Sequence, residues 1–417
     1  MRHVLMVAFH YPPLAGSPGA LRARAFVSYL PRSGWQPHVL APCTRAYAET
    51  ECEAAVPPEG SIHRSWALDA RRHLGWRGRY PELAAVPDRW ASWAPSAVIA
   101  GLSIIRRYPI EAIWSTYPIA TSHLIAATLA RLSGLPWVAE FRDPVAPEAS
   151  PRMQCWAQRA IERRAIKGAT RSVFVTPGAL ADCRSRFGDF GDRFALIPNG
   201  YDDALEPVYA TEEASRRPND PVRLVHSGHL YRHGRNPDAL LKAVALLKAQ
   251  GRIDAGRLRI IFRNSQEDAF YQRQIDDLNL SDIISLEPRI PHAQALREQR
   301  SANGLLLLQG PEFNRQIPAK LFEYLRARKP VLALVDNGGD TAALLDELGG
   351  ALRVASDDAE RIAEALSMFV HELYDGRHAD TGRWAVDEMA LARFSRARQT
   401  ETLAALLCQA TAAGKAD

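Results

Sequence analysis

Gln316-Ile-Pro-Ala-Lys-Leu-Phe-Glu-Tyr-Leu-Arg-Ala-Arg-Lys-Pro-Val-Leu-Ala-Leu334 decides how the rest of the chain reads. Ile317-Pro318 is a helix entry, because proline is tolerated in a first turn that needs no amide donor. Leu321, Phe322 and Leu325 then form an apolar stripe, with Lys320, Glu323 and Tyr324 near the helix start. Lys329-Pro330 stops the helix, and Val331–Val335 reads as a buried parallel strand. Free amides and the helix dipole at such an entry favour an anion. With Lys320 beside them and the Glu323 carboxylate a turn further on, the segment suits a phosphorylated sugar, the carboxylate accepting from two ribose hydroxyls. The plainer alternative is an α/β unit in which Lys320 and Glu323 form an exposed i, i+3 pair.

The same strand-then-helix rhythm extends in both directions. Met1-Arg2-His3 runs into a strand-length Val4–Phe9, with no small-residue cleavage site after it, so it reads as a first strand and not a signal peptide. The loop 10–19 contains Gly16 and Gly19 and leads into a helix over Ala20–Leu30, followed by a strand at Pro37–Ala41. Further strands are expected at Ala112–Ser115, Trp137–Phe141, Ser172–Val175 and Phe194–Ile197. Residues 204–221 are polar, charged and proline-containing, which marks a linker. The pattern restarts with strands at Val222–His226, Leu258–Phe262, Ile283–Leu286, Gly304–Leu308 and Ala351–Ala355. The fold class is therefore α/β, with two Rossmann-like, doubly wound parallel-sheet domains. The expected division is 1–203, linker 204–221, 222–384, and a helical region 385–417. Residues 411–417 read as a frayed tail.

Bulk composition narrows the classes. A chain of 417 residues with 47% hydrophobic and 24% charged residues is an ordinary globular protein, long enough for two domains. The net charge of +5 suits anionic ligands or an anionic membrane face, and is too small to point to nucleic acid. Five scattered cysteines without a CxxC pair argue for reduced thiols in the cytoplasm and against a disulfide framework or zinc site. No run approaches the ~18 apolar residues of a membrane span. Between His63 and Arg107 eight arginines face three carboxylates, interleaved with Trp66, Trp76, Tyr80, Trp90 and Trp93. That mixture suits a membrane surface or an amphipathic acceptor. The plainer alternative is an insertion with core tryptophans and solvated arginines.

Five short segments, in order, resemble glycosyltransferase family 4 enzymes, in particular a bacterial branch acting on cell-surface polysaccharide. They are Tyr11-Pro12-Pro13 through Gly16 with Arg22, Glu140-Phe141-Arg142-Asp143-Pro144, Pro198-Asn199-Gly200-Tyr201-Asp202, Ser227-Gly228-His229-Leu230 with Gly234-Arg235-Asn236-Pro237, and Lys320 through Val331. The resemblance implies a GT-B fold, two such domains facing a central cleft with the last helix packed back on the first. It also implies retaining transfer of a sugar from a nucleotide-diphosphate sugar to a glycan or lipid-linked acceptor. By carry-over, Arg235 and Lys320 are the catalytic cations. Gly16, Gly228, Arg289, Leu321 and Glu323 complete the donor set, and Arg22, His123, Arg142 and Asp143 line the acceptor side. No metal and no cofactor beyond the donor itself are expected, since fixed cations can meet the leaving diphosphate and no DxD pair occupies a suitable loop. A cytoplasmic protein, in peripheral contact with the anionic inner face of the membrane, follows from the same resemblance. One departure stands out: the position eight residues before Glu323, a glutamate in the family, is Arg315 here. A GT-B protein that binds nucleotide sugars without turning them over is therefore the competing expectation. Histidines at strand ends (His10, His123, His226) are ordinarily structural.

Overall fold

The structure, a computed structural model, describes residues 1–51, 61–77, 79–145, 151–205, 220–375 and 382–413. The expected linker thus lies largely outside the described residues. Two compact units emerge, one of Met1–Pro198 with Arg396–Asp417, the other of Asn199–Ser395.

The first unit is built on seven parallel strands: β1 (Arg2–Val7), β2 (Trp35–Pro42), β3 (Ser61–Ser65), β4 (Ile110–Thr116), β5 (Trp137–Phe141), β6 (Arg171–Phe174) and β7 (Phe194–Leu196). Their order is β3-β2-β1-β4-β5-β6-β7, so the winding reverses between β1 and β4. The second unit repeats the scheme with β8 (Val222–Ser227), β9 (Leu258–Arg263), β10 (Ile284–Glu287), β11 (Gly304–Gln309), β12 (Val331–Val335) and β13 (Ala351–Val354). Its order, β10-β9-β8-β11-β12-β13, reverses between β8 and β11. In open sheets of this kind ligands bind beyond the carboxyl ends of the strands at that reversal. Strands such as Leu305–Leu308 and Val331–Val335 are apolar throughout because helices cover both faces.

Four elements differ from the sequence reading. β3 and the helix Trp93–Arg107 fall between Ala41 and Ala112, where the sequence reading named no element. The helix buries only Trp93, Ala97, Gly101 and Ile104, a narrow stripe at i, i+4, i+8 and i+11 that includes an alanine and a glycine. Gly101 is there for contact: a Cβ on it would lie 2.6 Å from Leu129 Cδ1 on the helix Ala120–Ser133. The helix His292–Ser301 also had no sequence signal, being mostly polar. Finally, residues 385–407 are not one helix. Glu388–Ala392 belongs to the second unit, and Arg396–Ala413 to the first. That last helix places Leu403, Leu406, Leu407 and Ala410 against Phe26, Leu30, Trp35 and Trp114.

One buried ion pair ties the first unit together. Arg22, 1% exposed, donates from Nε and Nη2 to Oε1 of Glu140 at 3.0 and 2.8 Å. Its remaining donors reach the Ile197 and Pro198 carbonyls at 2.9 and 2.6 Å, where the chain leaves the sheet, and Gln399 on the last helix at 3.4 Å. Glu140 accepts on Oε2 from Thr116 Oγ1 at 2.8 Å. Removing one partner strands the other charge. Arg22→Ala is expected to cost about 3–5 kcal/mol, whereas Glu140→Gln, which keeps hydrogen-bonding atoms, costs less. Denaturant unfolding of the full chain checks the ranking, and equal costs would contradict it.

Candidate functional site

The second unit carries a cluster of cations at the sheet reversal. β8 ends in His226-Ser227, and Gly228 follows with φ +113, a conformation suited to glycine. The helix Ala319–Arg326 meets this strand end at two points. Tyr324, fully buried, accepts on its hydroxyl from the Ser227 amide at 2.8 Å. Lys320 Nζ lies 3.1 Å from Nε2 of His226. The other ring nitrogen, Nδ1, is 3.0 Å from the Leu306 carbonyl, which can only accept, so Nδ1 carries the proton and Nε2 offers a lone pair to the ammonium. Gly228 leaves the room: a Cβ there would be 2.9 Å from Lys320 Nζ.

Electrostatics at this point are one-sided. Burial first, and the Arg235 cation second, push the Lys320 ammonium well below its ordinary pKa, with Glu323 opposing. His226 is driven well below its ordinary value by burial and then by Lys320. His229 is lowered by burial and by the Lys320, Arg235 and Arg289 cations. Among the described residues Lys320 forms no ion pair. Three cations and two histidines lowered by burial stand near one another here, with the Glu323 carboxylate on the helix of Lys320 acting in the opposite sense.

The neighbouring loops shape that place. Arg235 stacks on the rings of Phe313 and Tyr231, 5.0 and 5.4 Å from their centroids. Gly234, at φ +79, lies so close to Phe313 that a Cβ would sit 2.4 Å from its ring. Its carbonyl accepts from the Gly310 amide at the end of β11. Buried Gln309 donates to the Phe313 and Gln316 carbonyls at 3.0 and 2.7 Å, pinning the loop ahead of the helix. Glu323 is half-buried and bonded to His292 Nε2 at 2.9 Å. It does not pair with Lys320, so the plain i, i+3 alternative fails. His292 was missed in the sequence because its helix gave no signal.

Several expected residues sit elsewhere. The Leu321 side chain is fully buried in the core of the second unit, leaving only its backbone for a ligand. Arg22, expected on the acceptor side, is the core tie described above. His123 is also core: it is fully buried, its Nδ1 is 2.8 Å from Ser115 Oγ, and it packs 4.7 Å from the Phe141 ring. Burial pushes it down to about 3. Arg142 does lie at a strand end, donating to Thr116 Oγ1 at 2.9 Å and to His10 Nδ1 at 3.4 Å, and it occupies the space a Cβ on Gly19 would need. Asp143 is exposed beside it, and Gly16, at φ +62, is exposed in the loop after β1. Arg315 is exposed in the second unit. Among the described residues no group of three histidine, cysteine, aspartate or glutamate side chains is placed to hold a metal ion.

Residues 19–200 match the model of the glycosyl transferase 4-like domain. The chain is similar to that domain over this stretch. It thus resembles the family 4 glycosyltransferases, and its two parallel sheets are those of a GT-B fold. Sucrose-phosphate synthase from Thermosynechococcus elongatus is similar over 99% of this chain and 100% of its own, with a TM-score of 0.71 at 16% identity. A Burkholderia xenovorans UDP-forming trehalose-phosphate synthase, solved with glucose-6-phosphate, is similar over 98% and 100%, with a TM-score of 0.65 at 13% identity. Anabaena Alr3699/HepE in complex with UDP is similar over 99% and 98%, with a TM-score of 0.57 at 13% identity. No curated protein sequence matches the chain.

Burial of His123 has a pH consequence. Its folded pKa, about 3, lies below the ordinary 6.5, so between those values the unfolded chain binds the extra proton. This contribution to stability is complete above about pH 6.5 and is lost as pH falls towards 3, at roughly 1.4 kcal/mol per pH unit. His38, 1% exposed and lowered to about 4 by burial and by His3 and His63, adds in the same direction. Thermal melts between pH 7.5 and 5 should show stability falling with acid, less steeply in His123→Phe. An identical slope in the variant would remove His123 from the account.

Proposed function

We propose that the protein is a retaining glycosyltransferase that moves a sugar from a nucleotide-diphosphate sugar to a glycan or lipid-linked acceptor in cell-surface glycan synthesis. The carrying observation is the geometry at the end of β8, where Lys320 Nζ stands beside Gly228 and His226 near a helix start, with Arg235 stacked on Phe313 and Tyr231 in the following loop. As the bond to the anomeric carbon breaks, negative charge grows on the leaving diphosphate. Lys320 and Arg235 meet it without a metal, and because the charge is larger in the transition state the stabilisation accelerates transfer. A lysine whose charge is disfavoured by burial gains a counter-charge when the diphosphate arrives. Glu323, oriented by His292, accepts from the ribose hydroxyls. Gly228 keeps the backbone open beside Lys320, and Leu321 offers only main-chain atoms. In the first unit, Gly16, Arg142 and Asp143 serve the sugar and the acceptor. Similar structures solved with UDP and with UDP-glucose make UDP the first nucleotide to test.

A second reading, binding without turnover, rests on Arg315 standing where a carboxylate would hold the donor sugar. Release of free nucleoside diphosphate from a panel of nucleotide sugars separates the two readings. For the donor site itself, Glu323→Ala removes a charge-assisted contact of roughly 1.5–3 kcal/mol, weakening nucleotide binding by about one to two orders of magnitude. Lys320→Ala and Arg235→Ala should lower both binding and turnover while the fold survives. Isothermal titration with UDP, GDP and ADP reads the result. Unchanged affinity in all three variants would end the donor assignment.

The acceptor reading extends to an anionic membrane face on the cytoplasmic side. Trp66, Trp76 and Leu83 are 54%, 75% and 75% exposed, and Arg71, Arg72 and Arg77 are exposed in the same segment. Trp93 is fully buried and Trp90 half-buried, so the tryptophans of this segment divide between core and surface. Exposed indoles beside guanidinium groups favour the headgroup region. Among the described residues no helix is long and apolar enough to cross a membrane. Flotation with anionic vesicles at low salt is expected, lost at high salt and in the double variant Trp76→Ala, Leu83→Ala. Equal flotation with neutral vesicles would sink the electrostatic part.

A further inference from the structure

Fixed cations at a diphosphate site work only if they are held in place, and a lysine on four rotatable bonds is the hardest to hold. Here the holding contact is unusual in kind. Lys320 Nζ is met at 3.1 Å by an imidazole nitrogen, where a carboxylate would be the common partner. A carboxylate would neutralise the ammonium before any ligand came. A neutral imidazole fixes its position and leaves its charge available.

We propose that His226 is a positioning residue for diphosphate binding, presenting the Nε2 lone pair so that the Lys320 ammonium is seated over Gly228 and aimed at the donor. The inference rests on the donor site proposed above and adds a residue that touches neither donor nor acceptor.

The surroundings enforce this role. His226 is fully buried at the end of β8, with its ring edge-on to Phe262 on β9 at 6.0 Å between centroids. The Leu306 carbonyl on β11, 3.0 Å from Nδ1, holds the proton on that nitrogen and leaves Nε2 free to accept. The charged and titratable groups facing the pair are Arg235 and His229 in the loop after β8, and Glu323 on the helix of Lys320. Arg289 acts on His229 from beyond. All of these except Glu323 are cationic or neutral basic groups, so a protonated His226 would be opposed from every side but one. The imidazole stays an acceptor across the working range. On the other side of Nζ the bare Cα of Gly228 closes the seat, since a built Cβ falls 2.9 Å from the nitrogen.

The two ring nitrogens can be tested separately. Asparagine places a donor near Nδ1 and loses the acceptor at Nε2; glutamine places an acceptor near Nε2 and loses the bond to Leu306. His226→Asn should therefore weaken UDP binding about tenfold or more, while His226→Gln should bind within about threefold of wild type. A role confined to packing and the Leu306 bond gives the opposite ranking in stability and no change in UDP affinity. Isothermal titration with UDP, or with GDP or ADP where wild type prefers one of them, is paired with thermal melts of the full chain. Wild-type affinity in His226→Asn, or no rescue in His226→Gln, overturns the proposal. If His226→Asn fails to fold, His226→Leu replaces it, filling the buried position without any ring nitrogen. Lost affinity there supports the seat and wild-type affinity overturns it. Lys320→Ala is the control. Should it bind UDP like wild type, the donor site itself falls; should it be impaired while His226→Asn is not, only the role of His226 falls.

Discussion

A cation taken out of water must find compensation, and the two units of this protein meet that constraint in opposite ways. In the first unit Arg22 is compensated permanently by Glu140 and by carbonyl oxygens, so its charge is consumed in holding β5, the exit of the sheet and the last helix together. In the second unit Lys320 is met by a neutral imidazole. Its charge is left in deficit. The first arrangement makes a core and the second makes a site.

The parallel sheets determine where that site stands. Each winding reverses once, between β1 and β4 in one unit and between β8 and β11 in the other. Helices on both sides of the reversal lead away from it, which leaves the strand ends open. At β8 the opening is floored by Gly228 and walled by Arg235, the latter held by stacking on aromatic rings. Gly228 and Gly234 are required there by positive φ, and Gly234 also by its close approach to the Phe313 ring. Side chains at these points would collide with Lys320 or Phe313.

Arg142 in the first unit lies between these extremes. It sits at a strand end, yet Thr116 and His10 engage two of its nitrogens, and Glu140 lies 3.9 Å away. It is ordered before any ligand binds, which lowers the entropy cost of using it. His10, lowered to about 3 by burial and by Arg142, remains a neutral acceptor that supports this order.

Sequence alone determined the α/β class, the two Rossmann-like units and the helix-then-strand segment from Ala319 to Val335. Those features follow from local rules: apolar runs of strand length, proline at helix starts and ends, and short motifs continuous along the chain. What lay beyond those rules was decided by contacts between distant residues. The helix Trp93–Arg107 sets Gly101 against Leu129 of a neighbouring helix, a contact that no local rule foretells. Arg22 and His123 were expected to line the acceptor side, and only packing shows Arg22 to be the core tie and His123 to be the buried structural histidine that strand-end histidines ordinarily are. His226 and Lys320 are 94 positions apart, so no spacing rule could pair them. His292 reaches Glu323 across 31 positions from a helix without an apolar face to betray it. Chain order shows which side chains can carry charge. Whether a charge is neutralised in a core or left waiting for a ligand depends on what the fold sets against it.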